Sequence, residues 1–210
     1  MRIGLTYDLR SWYLERGYTM DETAEFDKEE TVIALETELG RLGYETVRIG
    51  NVFELVEKLA AGERWDMVFN IAEGLYGDGR ESVVPALLDQ YRIPYVFSGP
   101  VVMGVSLNKY LTRLVVAAAG VPVCPGIIAS SAGDIEDLSS LEFPLFVKPV
   151  AEGTGKGITT RSVVRDRASQ VRLVNELLDT YTQPVLIEEY LPGSEFTVGV
   201  TGHGADATVT

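Results

Sequence analysis

Between Arg2 and Ile71 the chain alternates between short apolar runs and longer stretches of helical spacing, and that alternation leaves few folds open. Arg2 to Tyr7 reads as a short buried strand. Lys28 to Leu42 follows as an amphipathic helix, because Val32, Leu35, Leu39 and Leu42 recur at helical spacing, and Gly43 would end it. Tyr44 to Ile49 makes a second strand and Val52 to Ala61 a second helix. Asp66 to Ile71 makes a third strand that runs into the glycine-rich loop Ala72 to Arg80. A βαβαβ series favours a parallel sheet covered by helices, with the loops after the strand carboxyl ends forming the ligand face.

The pattern then changes. Ser82 is expected to cap a helix carrying Val83, Val84, Leu87 and Leu88, with Pro85 tolerated in its first turn, and Tyr95 to Phe97 returns as a strand. Ser98, Gly99 and Pro100 break the series and place a domain boundary near Ser98. Lys109 to Ala119 is helical and stops at Gly120, and Val121 to Ala129 is extended. Beyond it come a strand at Leu145 to Lys148, a loop from Ala151 to Gly157 and a strand at Ile158 to Val164. A helix over Arg167 to Tyr181 should bury Val171, Val174, Leu178 and Tyr181. Val185 to Glu189 and Glu195 to Thr210 are rich in β-branched residues, with Gly202, His203 and Gly204 as an expected hairpin tip.

Composition narrows the partners. With 210 residues, 46% of them hydrophobic, the chain can bury two α/β cores. Its 31 acidic residues against 18 basic ones give a formal charge of -13, a field that repels nucleic acid. One cysteine cannot form a disulfide within the chain, and one histidine cannot by itself make a conventional zinc site. Cys124, among Val121, Pro122, Val123 and Pro125, reads as a small buried hydrophobe. The start lacks a signal-peptide run, and no stretch approaches the roughly 20 apolar residues of a membrane span, so a soluble cytoplasmic protein without a membrane partner is expected.

The segment FVKPVAEGTGKGI puts Lys148 at the end of a strand and follows it with Gly153, Gly155 and Gly157 around Lys156. Such a loop can fold its amides over phosphates, although an ordinary turn is an equal reading of the glycines alone. It is not a Walker loop, which would require glycine at Val150 and a hydroxyl residue at Gly157.

Three blocks, YVFSGPVVMGVSLNKYLTRLVVAAAGVPVCPG, FPLFVKPVAEGTGKGI and VLIEEYLPGSEFTVGV, resemble in order and spacing the D-alanine–D-alanine ligases of the ATP-grasp fold. The resemblance implies that Lys109 and Lys148 contact the phosphates of ATP, while Glu152, Gly153, Thr154, Gly155, Lys156 and Gly157 close over them. It implies that Glu188 receives the adenine amino group, Tyr190 borders the ring, Leu191 offers its backbone amide and Glu195 holds the ribose hydroxyls. The loop IAEGLYGDGRE is similar to the substrate-side loop of these ligases, which makes Glu73, Gly74 and Asp78 substrate candidates. Glu73 stands near the place where typical members carry histidine, and TYDLRSWYLERGYTM lacks the usual glutamate-containing motif. Tyr7, Asp8, Arg10 and Arg80 are further candidates for substrate contact. For Asp8 and Arg10 a salt bridge or loop cap is an equal reading.

The implied architecture is α/β, with an amino-terminal parallel pre-ATP-grasp domain over residues 1–98 and an incomplete ATP-grasp domain over 99–210. The implied reaction is ATP-dependent ligation of a carboxylate to an amine through an acylphosphate, on a small amino-acid-like substrate. The sequence given ends at Thr210, ahead of the family's metal-ligating segment. Mg2+ is accordingly expected to come with ATP rather than through ligands of these residues, and complete catalysis by residues 1–210 alone is not expected. The alternatives are a non-catalytic nucleotide-binding module or an interaction protein, completed by a complementing carboxyl-terminal segment or by homodimerisation along an open sheet edge.

Overall fold

The computed structural model describes residues 1–131, 133–134, 141–202 and 204–209. The first unit is a three-stranded sheet of order β2-β1-β3, built from β1 (Arg2–Thr6), β2 (Glu45–Gly50) and β3 (Met67–Asn70). Both pairings are parallel. Period-two alternation divides β1 between two cores. Ile3, Leu5 and Tyr7 pack with Val32 and Leu39 of α2 (Glu29–Arg41). Gly4 turns the other way, where an added Cβ would lie 2.4 Å from the Ile49 side chain. On that second face Ile49 and Val68 pack with Leu55 and Leu59 of α3 (Val52–Ala60) and with Val84 and Leu88 of α4 (Val83–Gln90). Asn51 starts α3 with a full capping box, accepting from the Phe53 and Glu54 amides while Glu54 accepts from the Asn51 amide.

The second unit is a four-stranded antiparallel sheet of order β4-β7-β5-β6. Its strands are β4 (Gly126–Ala129), β5 (Leu145–Pro149), β6 (Val163–Val164) and β7 (Val185–Glu189). Register assigns each side chain to a face, because residues paired across strands point the same way. Leu145, Val147, Val185 and Ile187 form the core face, covered by Leu173, Val174 and Leu177 of α7 (Arg167–Tyr181). Phe146 opposite Glu188 and Lys148 opposite Leu186 lie on the other face.

Several expectations give way. A short helix, α1 (Arg10–Leu14), occupies the first loop. Pro100 opens helix α5 (Pro100–Leu107) instead of ending a pattern, because its fixed φ and missing N–H suit the first helical position. It leads into α6 (Lys109–Ala118), capped by Asn108. Ser82 makes no side-chain cap for α4 and donates instead to the Pro100 carbonyl at 2.8 Å. Tyr95 forms only an isolated bridge to Val68, and Phe97 turns to a positive φ of 76° just beyond it. The strand expected at Ile158 to Val164 shrinks to β6, because Thr159 caps a 3-10 turn at Thr160–Ser162. The buried stripe of α7 runs through Gln170, Leu173, Val174 and Leu177, leaving Val171, Leu178 and Tyr181 at its margin. Among the described residues the carboxyl-terminal stretch holds the short pair β8 (Val200–Thr201) and β9 (Thr208–Val209), both exposed, with a 3-10 turn at Gly204–Asp206 between them. His203 and Thr210 of the expected hairpin lie outside the described residues. Among the described residues no single helix is long and apolar enough to cross a membrane.

Candidate nucleotide site

The face of the second sheet opposite α7 carries a cavity of about 360 Å3 whose walls include Phe146, Lys148, Glu188, Tyr190, Leu191 and Glu195. Alternation along β5 supplies Phe146 and Lys148 to the same wall, and Phe146 and Tyr190 lie nearly parallel, with ring centroids 6.3 Å apart. The Lys148 ammonium donates to Glu188 Oε1 at 2.6 Å, and Arg113 Nε lies 3.9 Å from Glu188 Oε2. Glu188 is therefore held between two cations in a partly desolvated cleft. Gly126 makes this possible, since a Cβ there would lie 2.7 Å from Arg113 and 2.8 Å from Glu188. Glu189 is half-buried and accepts from the Glu142 amide at 3.2 Å. Cys124 also lines the cavity and is half-buried, and its thiol donates to the Glu189 carbonyl at 2.9 Å. Glu195 is exposed at the mouth.

Past Pro149 the strand gives way to the glycine-rich loop. Thr154, Gly155 and Gly157 adopt positive φ, and a Cβ at Gly157 would lie 2.5 Å from Pro149, so no other residue fits there. Lys109 reaches this loop from the start of α6, its amide donating to the Val150 carbonyl at 3.0 Å and its ammonium to the Glu152 carbonyl. Burial, then the charge of nearby Lys148, lowers the pKa of Lys109 from its usual value. Glu152 accepts from Gln183 at 2.5 Å and pairs with Lys156 at 3.0 Å.

The loop is also tied to the first unit, which no sequence pattern foretold. The Gly153 amide donates to Glu25, and Glu25 pairs with Arg80 at 2.9 Å. The Arg80 guanidinium also donates to the Ala151 carbonyl at 2.8 Å. Arg80 and Glu25 are both almost fully buried. Glu73 lies nearby, and burial, then Glu81 and Glu25, pushes its carboxyl up to about 8. Gly74 and Glu73 donate their amides to Asp8 Oδ2 at 2.8 and 2.9 Å, so Asp8 caps that loop. Arg10 clamps the first loop through the carbonyls of Thr23, Ala24 and Phe26. Tyr7 is packed into the core, and Asp78 stands exposed at the loop tip.

Lys148 thus lines the cavity, and Lys109, near enough for the two charges to interact, holds the glycine-rich loop through the Glu152 carbonyl. Phe146 was legible in principle from its alternation with Lys148, and Arg113 from its place one helical turn beyond Lys109. Glu25 and Gln183 come from distant segments and carry no local signal. Among the described residues no group of three or more His, Cys, Asp or Glu side chains is arranged to hold a metal ion. Glu25, Glu152 and Glu188 are paired with Arg80, Lys156 and Lys148 respectively.

A parallel α/β unit followed by an antiparallel sheet with a glycine-rich loop on its open face is the ATP-grasp arrangement. The D-ala D-ala ligase C-terminus family matches residues 115–210. A D-alanine–D-alanine ligase of Chelativorans sp. strain BNC1 is 31% identical over 170 residues, covering 80% of this chain and 52% of that protein. An uncharacterized protein y4sG of Sinorhizobium fredii is 34% identical over 137 residues, covering 65% of this chain and 39% of that protein. Among solved structures, the VanG D-Ala:D-Ser ligase of Enterococcus faecalis superposes with a TM-score of 0.72 at 17% identity, over 99% of this chain and 67% of that one. The Bacillus anthracis D-alanine–D-alanine ligase complexed with ATP gives 0.61 at 21% identity, over 92% of this chain and 60% of that one. This chain is a D-alanine–D-alanine ligase-like protein of the ATP-grasp fold. It spans about half the length of the curated relatives it matches.

Proposed function

We propose that the chain binds ATP as part of an ATP-dependent carboxylate–amine ligase acting on a small amino-acid-like substrate through an acylphosphate. The observation that carries the reading is a cavity walled by Phe146, Lys148, Glu188, Tyr190 and Leu191, with Lys109 near enough to Lys148 for their charges to interact and bonded to the loop that follows β5 through the Glu152 carbonyl. In this reading the purine lies between Phe146 and Leu191, and Glu188 and the Leu191 amide orient it, since an apolar cleft needs only a few placed polar groups. Glu195 faces the ribose. Lys109 and Lys148, with the loop amides and Lys156, face the phosphates, where a polyanion would offset the burial and then the Lys148 charge that lower the Lys109 pKa. When bound, ATP supplies the phosphoryl group that activates the carboxylate. The proposed domain division is residues 1–98 and 99–210, with Glu73, Gly74 and Asp78 on the substrate side.

A second reading, an interaction protein completed by another segment or copy, draws on the exposure of Phe196, Val198 and Val200 beyond the cavity. Sedimentation at rising concentration separates the two readings, because only the second requires association. For the first, calorimetry with ATP and Mg2+ should give saturable binding that Lys148→Ala weakens by about 1.5–3 kcal/mol, the range for hydrogen bonds to charged groups. Equal affinity in the variant would remove Lys148 from the site.

A further inference from the structure

On the far side of Arg80 from the glycine-rich loop, a second cavity of about 270 Å3 opens at the carboxyl ends of β1 and β3. Three separate segments bring large apolar side chains to its walls: Phe53 from the start of α3, Tyr76 from the β3–α4 loop and Val83 from the start of α4. They stay 56%, 68% and 43% exposed. Single apolar residues on a surface are ordinary, but convergence on one cavity at the ligand end of a parallel sheet is not.

The polar groups around the cavity are already committed. Asp8 accepts from the Tyr13 hydroxyl through one oxygen and from the Glu73 and Gly74 amides through the other. Arg80 is held by Glu25 and the Ala151 carbonyl. An ammonium or carboxylate placed there would lose water and find only committed partners, whereas an apolar group would lose nothing. A neighbouring cavity of about 290 Å3 shares Leu75, Tyr76 and Arg80 with this one and reaches Asn108 and Glu152 at the phosphate loop.

We propose that the cavity of about 270 Å3 walled by Phe53, Tyr76 and Val83 seats a branched aliphatic or aromatic side chain of the amino-acid substrate, whose polar end lies in the neighbouring cavity of about 290 Å3 and faces the phosphate loop. That the ligand is an amino acid rests on the ligase reading above. The preference for an apolar group rests on the cavity itself. Phe53, Tyr76 and Val83 are then specificity-determining residues, and alanine would leave most of the space unfilled.

The test is a titration of the isotope-labelled 210-residue chain, followed by amide resonances, with leucine, phenylalanine, alanine and aspartate in both enantiomers. Each is run with and without Mg2+ and a non-hydrolysable ATP analogue. Leucine or phenylalanine should shift Gly74 to Gly77 with an affinity at least about tenfold above alanine, since one methylene in a fitted apolar site is worth roughly tenfold or more. Val83→Trp at the rim should abolish those shifts while leaving analogue binding at Tyr190 and Leu191 unchanged. If that variant misfolds, Phe53→Ala at an exposed position carries the comparison and should weaken binding severalfold. No shift with any amino acid in either state overturns the inference, as does binding of alanine or aspartate as tight as leucine. Analogue binding without an apolar preference overturns the cavity proposal alone. Apolar preference without analogue binding overturns the ligase reading and leaves the cavity proposal standing.

Discussion

Burial, followed by the carboxylates of Glu81 and Glu25, raises Glu73 from a usual 4.5 to about 8. Folding therefore favours the protonated form, and the native state binds more protons than the unfolded chain between those two values. The stabilisation that protonation provides is complete below about 4.5 and is lost as pH rises towards 8. Glu81 is raised by burial too, so it pulls in the same direction. Glu73→Gln should make the decline in stability across that window shallower, as read from urea midpoints at successive pH values. A decline as steep in the variant as in the parent would assign it to other groups. The sequence marks Glu73 as a departure from the family pattern, but its protonation could not be read there. The carboxylates that face it arrive from Glu25 and Glu81 only once the chain has folded.

At the scale of elements, the ion pair between Arg80 and Glu25 joins the loop ahead of α2 to the turn ahead of α4, and hydrogen bonds joining the same two side chains to Ala151 and Gly153 reach the loop after β5. Removing one member leaves a buried charge uncompensated, which costs about 3–5 kcal/mol. Arg80→Leu should lower stability by about that much in equilibrium unfolding, and adding Glu25→Leu should recover a large part of it. Additive losses in the double variant would mean that the two side chains act separately. Much of the surrounding framework was legible, because β1, α2, β2, α3 and β3 each bury one face and so write a clear period of two or 3.6 into the sequence. Failures fell where one residue type serves two ends. Pro100 breaks a helix interior yet suits its first position, and Thr159 favours strands yet caps a turn. α6 was legible from its stop at Gly120, although none of its residues is fully buried and residues such as Lys109, Tyr110 and Arg113 are only half-buried.

For the whole molecule, the parallel unit and the antiparallel unit meet where Ala151 and Gly153 touch Arg80 and Glu25, so the loop after β3 and the glycine-rich loop after β5 are braced against each other. The candidate nucleotide residues were legible because they sit in consecutive motifs on β5, β7 and the loop between β5 and β6. The apolar cavity beyond Arg80 was not, because its walls come from α3, α4 and two loops that no local pattern joins. If ATP lies on the face of the second sheet that carries Phe146 and Glu188, photo-crosslinking with 2-azido-ATP followed by peptide mapping will find it there. Label is expected on the peptides holding Phe146 and Glu188 to Leu191, suppressed by excess ATP and reduced in Lys148→Ala. Label that ATP suppresses on another surface, with none on those two strands, would contradict that placement.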